Sequence, residues 1–231
     1  MADAQLIEDL VAANRILYQR GVVDGFGHVS VRHPERPDRY FLARSMAPAL
    51  VTAGDILEFD LESNALDARG RASYLERFIH GAIYKARPDV RAVVHSHSPS
   101  VIPFGVTGSN LRPVFHMSGF LGEATPIFEI RDAGGMTDML VRDNRLGDAL
   151  ARALGGHAVA LMRGHGSVAV GNSIRQVVYR AIYAEVNARL QAEALRFGSV
   201  RYLDPEEARK AAQVNDAVLE RPWELWKREI G

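Results

Sequence analysis

The apolar run Ala92-Val93-Val94 ends in His95-Ser96-His97. Side chains alternate along a strand, so residues two apart share a face. A strand here therefore aims two imidazoles at one side. A third histidine, His165, lies in Met162-Arg163-Gly164-His165-Gly166, behind a second apolar run, Ala158-Val159-Ala160-Leu161. Two imidazoles from one strand and one from a neighbouring strand make a three-histidine divalent-cation site with open positions, the pattern of a catalytic rather than a structural metal. The glycines beside His165 permit backbone angles closed to other residues and a close approach of a ligand. The chain has no cysteine, so imidazole and carboxylate must hold the ion. That donor set suits one divalent metal per subunit, Mn or Zn first, with Fe or Co as further candidates.

Apolar periodicity orders the remainder. Leu6, Leu10, Ala13 and Leu17 recur at helical spacing, with Gly21 as a stop. Short β-like runs follow at 28–32, 40–42 and 56–59. A helix is expected over 76–86, ended by Arg87-Pro88-Asp89, and then the strand that carries His95 and His97. Residues 140–154 read as a helix closed by Gly155-Gly156. The runs 158–161 and 167–170 read as strands, and 174–197 as a long helix with Ile174, Val178, Ile182, Val186 and Leu190 at four-residue spacing. A helical, amphipathic tail starts near Pro205 and ends with Trp223, Leu225 and Trp226. No repeat, low-complexity tract or linker interrupts the chain, so residues 1–231 are expected to form one α/β domain with that tail.

Hydrophobic residues make up 47% of the chain, which excludes disorder as its main state. The formal net charge of zero gives no basic surface for nucleic acid. No apolar run approaches bilayer length, and the start Met1-Ala2-Asp3-Ala4 has neither the basic flank nor the apolar core of a signal peptide. A cytoplasmic protein acting on a small molecule, with no nucleic-acid or membrane partner, is expected.

Glu76 precedes the metal strand on the helix leading into it, with His80 one turn later on the same side. It is a candidate fourth ligand or a general acid/base beside the metal. The ordered set Glu76-Arg77-Phe78-Ile79-His80, Ala86-Arg87-Pro88-Asp89-Val90, Ala92-Val93-Val94-His95-Ser96-His97 and Arg163-Gly164-His165-Gly166 resembles the class II aldolase/adducin family. The resemblance runs from about residue 5 to about residue 195. It implies a three-layer α/β/α sandwich around a mostly antiparallel central sheet, and a homotetramer with active sites at subunit interfaces. It also implies that His95, His97 and His165 bind the divalent ion and that Glu76 is the carboxylate at the metal.

The departures from the family's sugar-phosphate aldolases bear on the substrate. Where those enzymes hold phosphate with Gly-Asn, Thr-Gly and Ser-Ser, this chain has Gly27-His28, Ser45-Met46 (after Arg44) and Tyr74-Leu75. A dianion needs N–H groups, hydroxyls and room, and Met46, Tyr74 and Leu75 fill that room with bulk. Where the aldolases place a proton-donating Tyr that acts from a neighbouring subunit, this chain has His116, which exchanges protons nearer neutral pH.

These changes resemble the family's decarboxylase branch, whose substrates are hydroxylated pyridine and phthalate carboxylates. The implied reaction is metal-dependent decarboxylation of an ortho-hydroxy aromatic or pyridine (di)carboxylate. Glu76 or His116 would supply the proton, and His28, Arg44, Ser45 and Tyr74 would meet the substrate. Arg44 suits a ring carboxylate because its planar fork binds one bidentately. Tyr74 and Phe115 are candidate ring contacts, and core packing is the expectation for Phe26. Retro-aldol cleavage of a hydroxy-keto acid or a sugar phosphate is the first alternative. An oxygen-using ferrous site and an adducin-like assembly module without chemistry stand behind it, and the latter expects lost metal ligands. Trp223 and Trp226 at a chain end need cover from a partner subunit or from the chain's own core.

Overall fold

The computed structural model describes residues 2–231. Its centre is a seven-stranded sheet in the order β3-β2-β1-β4-β7-β6-β5. The strands are β1 (His28–Arg32), β2 (Arg39–Ala43), β3 (Ile56–Asp60), β4 (Ala92–Ser96), β5 (Ile127–Phe128), β6 (Val159–Met162) and β7 (Gly166–Gly171). Every neighbouring pair is antiparallel except β5 and β6.

Strand alternation splits the core in two. Val29, Val31, Ala92, Val94, Leu161 and Ala169 pack with α1 (Ala2–Gln19) and α6 (Ile174–Phe197). Val93, Ala160, Met162, Val168 and Val170 pack on the other face with α2 (Phe78–Ala86) and α5 (Asn144–Leu154). Helices thus cover both faces, and the chain is a three-layer α/β/α sandwich, as expected.

Several boundaries differ from the sequence reading. The helix expected from Glu76 begins at Phe78. Glu76 itself sits in a single 3-10 turn, Leu75–Arg77, with φ −93° and ψ 20°. α5 starts at Asn144 rather than at residue 140, because Asp143 caps it by accepting the Leu146 N–H at 2.8 Å. Four-residue spacing drifts around a helix of 3.6 residues per turn. The apolar stripe on α6 therefore turns away, and Leu190 is 41% exposed. Asn187 and Gln191 take its place in the core. Asn187 donates to Arg112 O (2.8 Å) and accepts from Val114 N (2.9 Å), and Gln191 donates to Asn110 O (2.7 Å). They fasten the loop before the 3-10 helix His116–Leu121 to α6. That 3-10 helix, β5, α3 (Ile102–Val106) and α4 (Ile130–Gly134) are too short for a period to show.

The tail forms α7 (Pro205–Asp216), with a capping box at Asp204 and Glu207, and α8 (Glu220–Glu229). Trp223 and Trp226 are buried in the same core as α1 and α6, whereas Leu225 is exposed. The chain's own core covers the tryptophans, so the tail gives no argument for a partner. No described helix is long and apolar enough to cross a membrane.

Candidate metal centre

β4 lies between β1 and β7, in register His28↔His95 and His95↔Val168. His97 follows one residue past the end of β4, and His165 sits in the β6–β7 turn. Two glycines fit this turn for different reasons. Gly164 adopts φ +64°, and a Cβ on Gly166 would lie 2.1 Å from the Ser96 carbonyl oxygen.

Backbone carbonyls fix the tautomers of two imidazoles. His95 Nδ1 donates to Ser167 O (3.1 Å) and His165 Nδ1 to Met139 O (3.0 Å). A carbonyl only accepts, so both Nδ1 atoms carry a proton, and in the neutral rings both Nε2 atoms present a lone pair. Those Nε2 atoms lie 3.2 Å and 3.0 Å from His97 Nε2. Glu76 Oε2 completes the group, 3.5 Å from His95 Nε2 and 3.3 Å from His165 Nε2. These residues are the cluster of metal-ligating type among the described residues, with all four atoms within 4.8 Å of one another.

Lone pairs and an anion converging this closely repel unless a cation lies between them. Ligands about 2.1 Å from a cation and at right angles to one another are about 3.0 Å apart, and at a tetrahedral angle about 3.4 Å. The separations of 3.0–3.5 Å among these residues fit a shared divalent ion.

The same proximity sets the charges. Burial pushes the Glu76 carboxyl up, but His95 and His165 outweigh it and hold the group well below the usual carboxylate range. Glu76 Oε1 also accepts the backbone N–H of Val141 at 2.9 Å. Burial, then His95 and His165, lowers His97 to about 4. For His165 burial works downward, yet the hydrogen bond and charge of Glu76 carry it above its ordinary value.

A cavity of about 540 Å³ opens beside the cluster; its lining includes Glu76, His95 and His97 together with Phe26, His28, Ser45, Met46, Tyr74 and Leu75. Its size is that of a small-molecule site. Tyr74 donates its hydroxyl to Met46 O (2.6 Å) and lies 4.6 Å, ring to ring, from His28. Burial raises its phenol to about 12. Phe26, expected in the core, is 69% exposed at this cavity, with its ring 6.3 Å from that of His97.

The other candidate residues lie apart. Arg44 does not line the cavity; its Nε donates to Asp55 Oδ1 at 2.6 Å. His116 is exposed at the start of its 3-10 helix, its carbonyl accepting from Asn215 (2.8 Å), and neither it nor Phe115 lines the cavity. A buried row behind His28 escaped the sequence reading: His80, Ser30 and Tyr84. The signal for it was present, as Ser30 is two residues from His28 on a strand and Tyr84 is four from His80 on a helix.

Comparison with known proteins bears on the chemistry. The family profile described as "Class II Aldolase and Adducin N-terminal domain" matches residues 8–192. The decarboxylase tropJ of Talaromyces stipitatus is 36% identical over 97% of this chain and 93% of its own length. The 3,4-dihydroxyphthalate decarboxylase of Arthrobacter keyseri is 31% identical over 83% of this chain and 79% of its own. Among solved structures, L-fuculose 1-phosphate aldolase from Glaciozyma antarctica superposes with a TM-score of 0.79 at 26% identity, covering 98% of this chain and 88% of that one.

Proposed function

The chain belongs to the class II aldolase and adducin family, and from that premise we propose that it is a metal-dependent decarboxylase of an ortho-hydroxy aromatic or pyridine carboxylate. The observation that carries this reading is the wall facing the cluster. Met46, Tyr74, Leu75 and Phe26 line the cavity, and the Tyr74 hydroxyl is already committed to Met46 O. Beyond the cluster, the side-chain donors are His28 and Ser45. A planar ring acid suits aromatic walls with few donors, whereas a phosphate dianion requires several converging N–H and O–H groups. The similarity to two decarboxylases points the same way.

In this reading His95, His97, His165 and Glu76 hold one divalent ion, Mn or Zn before Fe or Co. Such an ion supplies Lewis acidity and a template for the hydroxyl and carboxylate oxygens. Glu76 acts as the anionic ligand rather than the acid, since its neighbours keep it ionised and Val141 fixes its second oxygen. Tyr74 and Phe26 flank the ring and keep water from its faces. Loss of carbon dioxide leaves a ring carbon that takes up one proton. We assign its delivery to His116 of an adjacent subunit in a homotetramer, because His116 is exposed on its own chain and does not line its own cavity.

The test is a panel of hydroxylated benzene and pyridine dicarboxylates, with 3,4-dihydroxyphthalate first, run beside fuculose phosphate on the metal-loaded protein. Release of carbon dioxide from a ring acid is the expected result. Cleavage of the sugar phosphate with no carbon dioxide from any acid overturns the reading in favour of retro-aldol chemistry.

A further inference from the structure

A continuous row of buried hydrogen bonds runs from the cavity into the α2 layer. His28 Nδ1 lies 2.6 Å from His80 Nε2, His80 Nδ1 lies 2.6 Å from Ser30 Oγ, and Ser30 Oγ lies 2.8 Å from the Tyr84 hydroxyl. All four residues are buried, His80 and Ser30 completely. Each bond in such a row has one proton, so the far end decides the direction of every bond.

The Tyr84 end decides it. Among the described residues, the Tyr84 hydroxyl has one side-chain partner, Ser30 Oγ. The phenol proton therefore goes to Ser30 Oγ. Ser30 then donates to His80 Nδ1, and His80 donates from Nε2 to His28 Nδ1. Reversing the row would leave the phenol proton without an acceptor among the described residues.

We propose that Tyr84, Ser30 and His80 are positioning residues that lock His28 as its Nε2–H tautomer, so that His28 offers the cavity a hydrogen-bond donor for a substrate oxygen and is barred from ligating the metal. The second half explains an otherwise odd arrangement. His28 pairs with His95 across the sheet, ring centres 5.1 Å apart, yet it stands outside the four-residue metal cluster. An imidazole nitrogen that carries a proton has no lone pair for a cation. The row thus separates two jobs among neighbouring histidines. Backbone carbonyls give His95 and His165 an Nε2 lone pair, and Tyr84 gives His28 an Nε2 proton.

The substrate oxygen in this proposal, a ring carboxylate or hydroxyl, rests on the decarboxylase reading; the tautomer does not. Long-range proton–nitrogen NMR of the zinc-loaded, nitrogen-15-labelled protein reads it directly. His28 and His80 are expected as neutral Nε2–H tautomers, and His28 Nε2–H is expected to shift when 2-hydroxybenzoate is added. Ser30→Ala removes the donor to His80 and is expected to mix the tautomers of both rings without changing zinc stoichiometry. In steady-state turnover of a ring acid, His28→Leu is expected to raise KM by about tenfold, whereas His28→Gln, whose amide can occupy the Nε2 position as a donor, recovers much of that loss. A His28 found as Nδ1–H, as a cation or as a zinc ligand overturns the proposal, and so does equal loss in the Leu and Gln variants. If no ring acid is bound or turned over while the tautomers are as stated, the decarboxylase reading fails and the row stands.

Discussion

Glu76 is tied to the backbone N–H of Val141 through Oε1 at 2.9 Å, which leaves Oε2 alone to face His95 and His165. The Glu76→Gln variant can keep the Val141 bond with its amide oxygen. Its NH₂ group would then point at the Nε2 lone pairs where a cation belongs. Affinity for Mn should fall by more than about tenfold, with little change in melting temperature. Titration calorimetry and metal content check the first point and thermal unfolding the second.

Gly166 lies where β7 leaves no room for a side chain against β4, since a Cβ there would meet the Ser96 carbonyl at 2.1 Å. Gly166→Ala must push β7 away from the strand end that carries His95 and His97. The expected outcome is a folded protein that no longer binds metal stoichiometrically, measured by metal analysis beside a circular dichroism spectrum.

How far the sequence was legible follows from the range of each interaction. Strand alternation at 92–97 and the turn around His165 are local, so the convergence of His95, His97 and His165 could be read directly. The resemblance placed Glu76 beside them, although the turn that holds it is not the helix that its spacing suggested. The His28–His80–Ser30–Tyr84 row was missed because it joins β1 to α2 across 50 and 52 positions, and each half looks like ordinary core. Leu190 misled because a strict spacing of four precesses off the buried face, where Asn187 and Gln191 bind loop carbonyls instead. Phe26 looked like core and lines the cavity.

His80 should make stability depend on pH. Burial, reinforced by His95 and opposed by Glu76, lowers it from 6.5 to about 3. With the folded value depressed, its contribution is fully present above about pH 6.5 and is lost as the pH falls toward about 3. At pH 5 the loss is roughly 2 kcal/mol. Urea unfolding at pH 7.5 and pH 5, with a chelator present, should show this decline, and His80→Gln should flatten it by about that amount.

The tail should be part of the cooperative fold. Trp223 is completely buried against the core that includes α1 and α6, and its indole N–H has no hydrogen-bond partner among the described residues. Trp223→Ala should cost about 3–5 kcal/mol, and Trp223→Phe distinctly less. Leu225→Ala, on the exposed side of the same helix, should be nearly neutral. Denaturant midpoints of the three variants provide the comparison.

The carbonyls of Ser167 and Met139 orient two imidazoles of the histidine cluster, and a main-chain carbonyl is supplied by whatever residue occupies its position. Substitutions at either place leave the anchor intact so long as the backbone path is kept. The aromatic and apolar wall rests on other segments, around Phe26, Met46 and Tyr74. Under the proposed function, chemistry and selectivity can therefore evolve almost independently, and a new substrate can be reached by rewriting the wall while the histidines keep their aim.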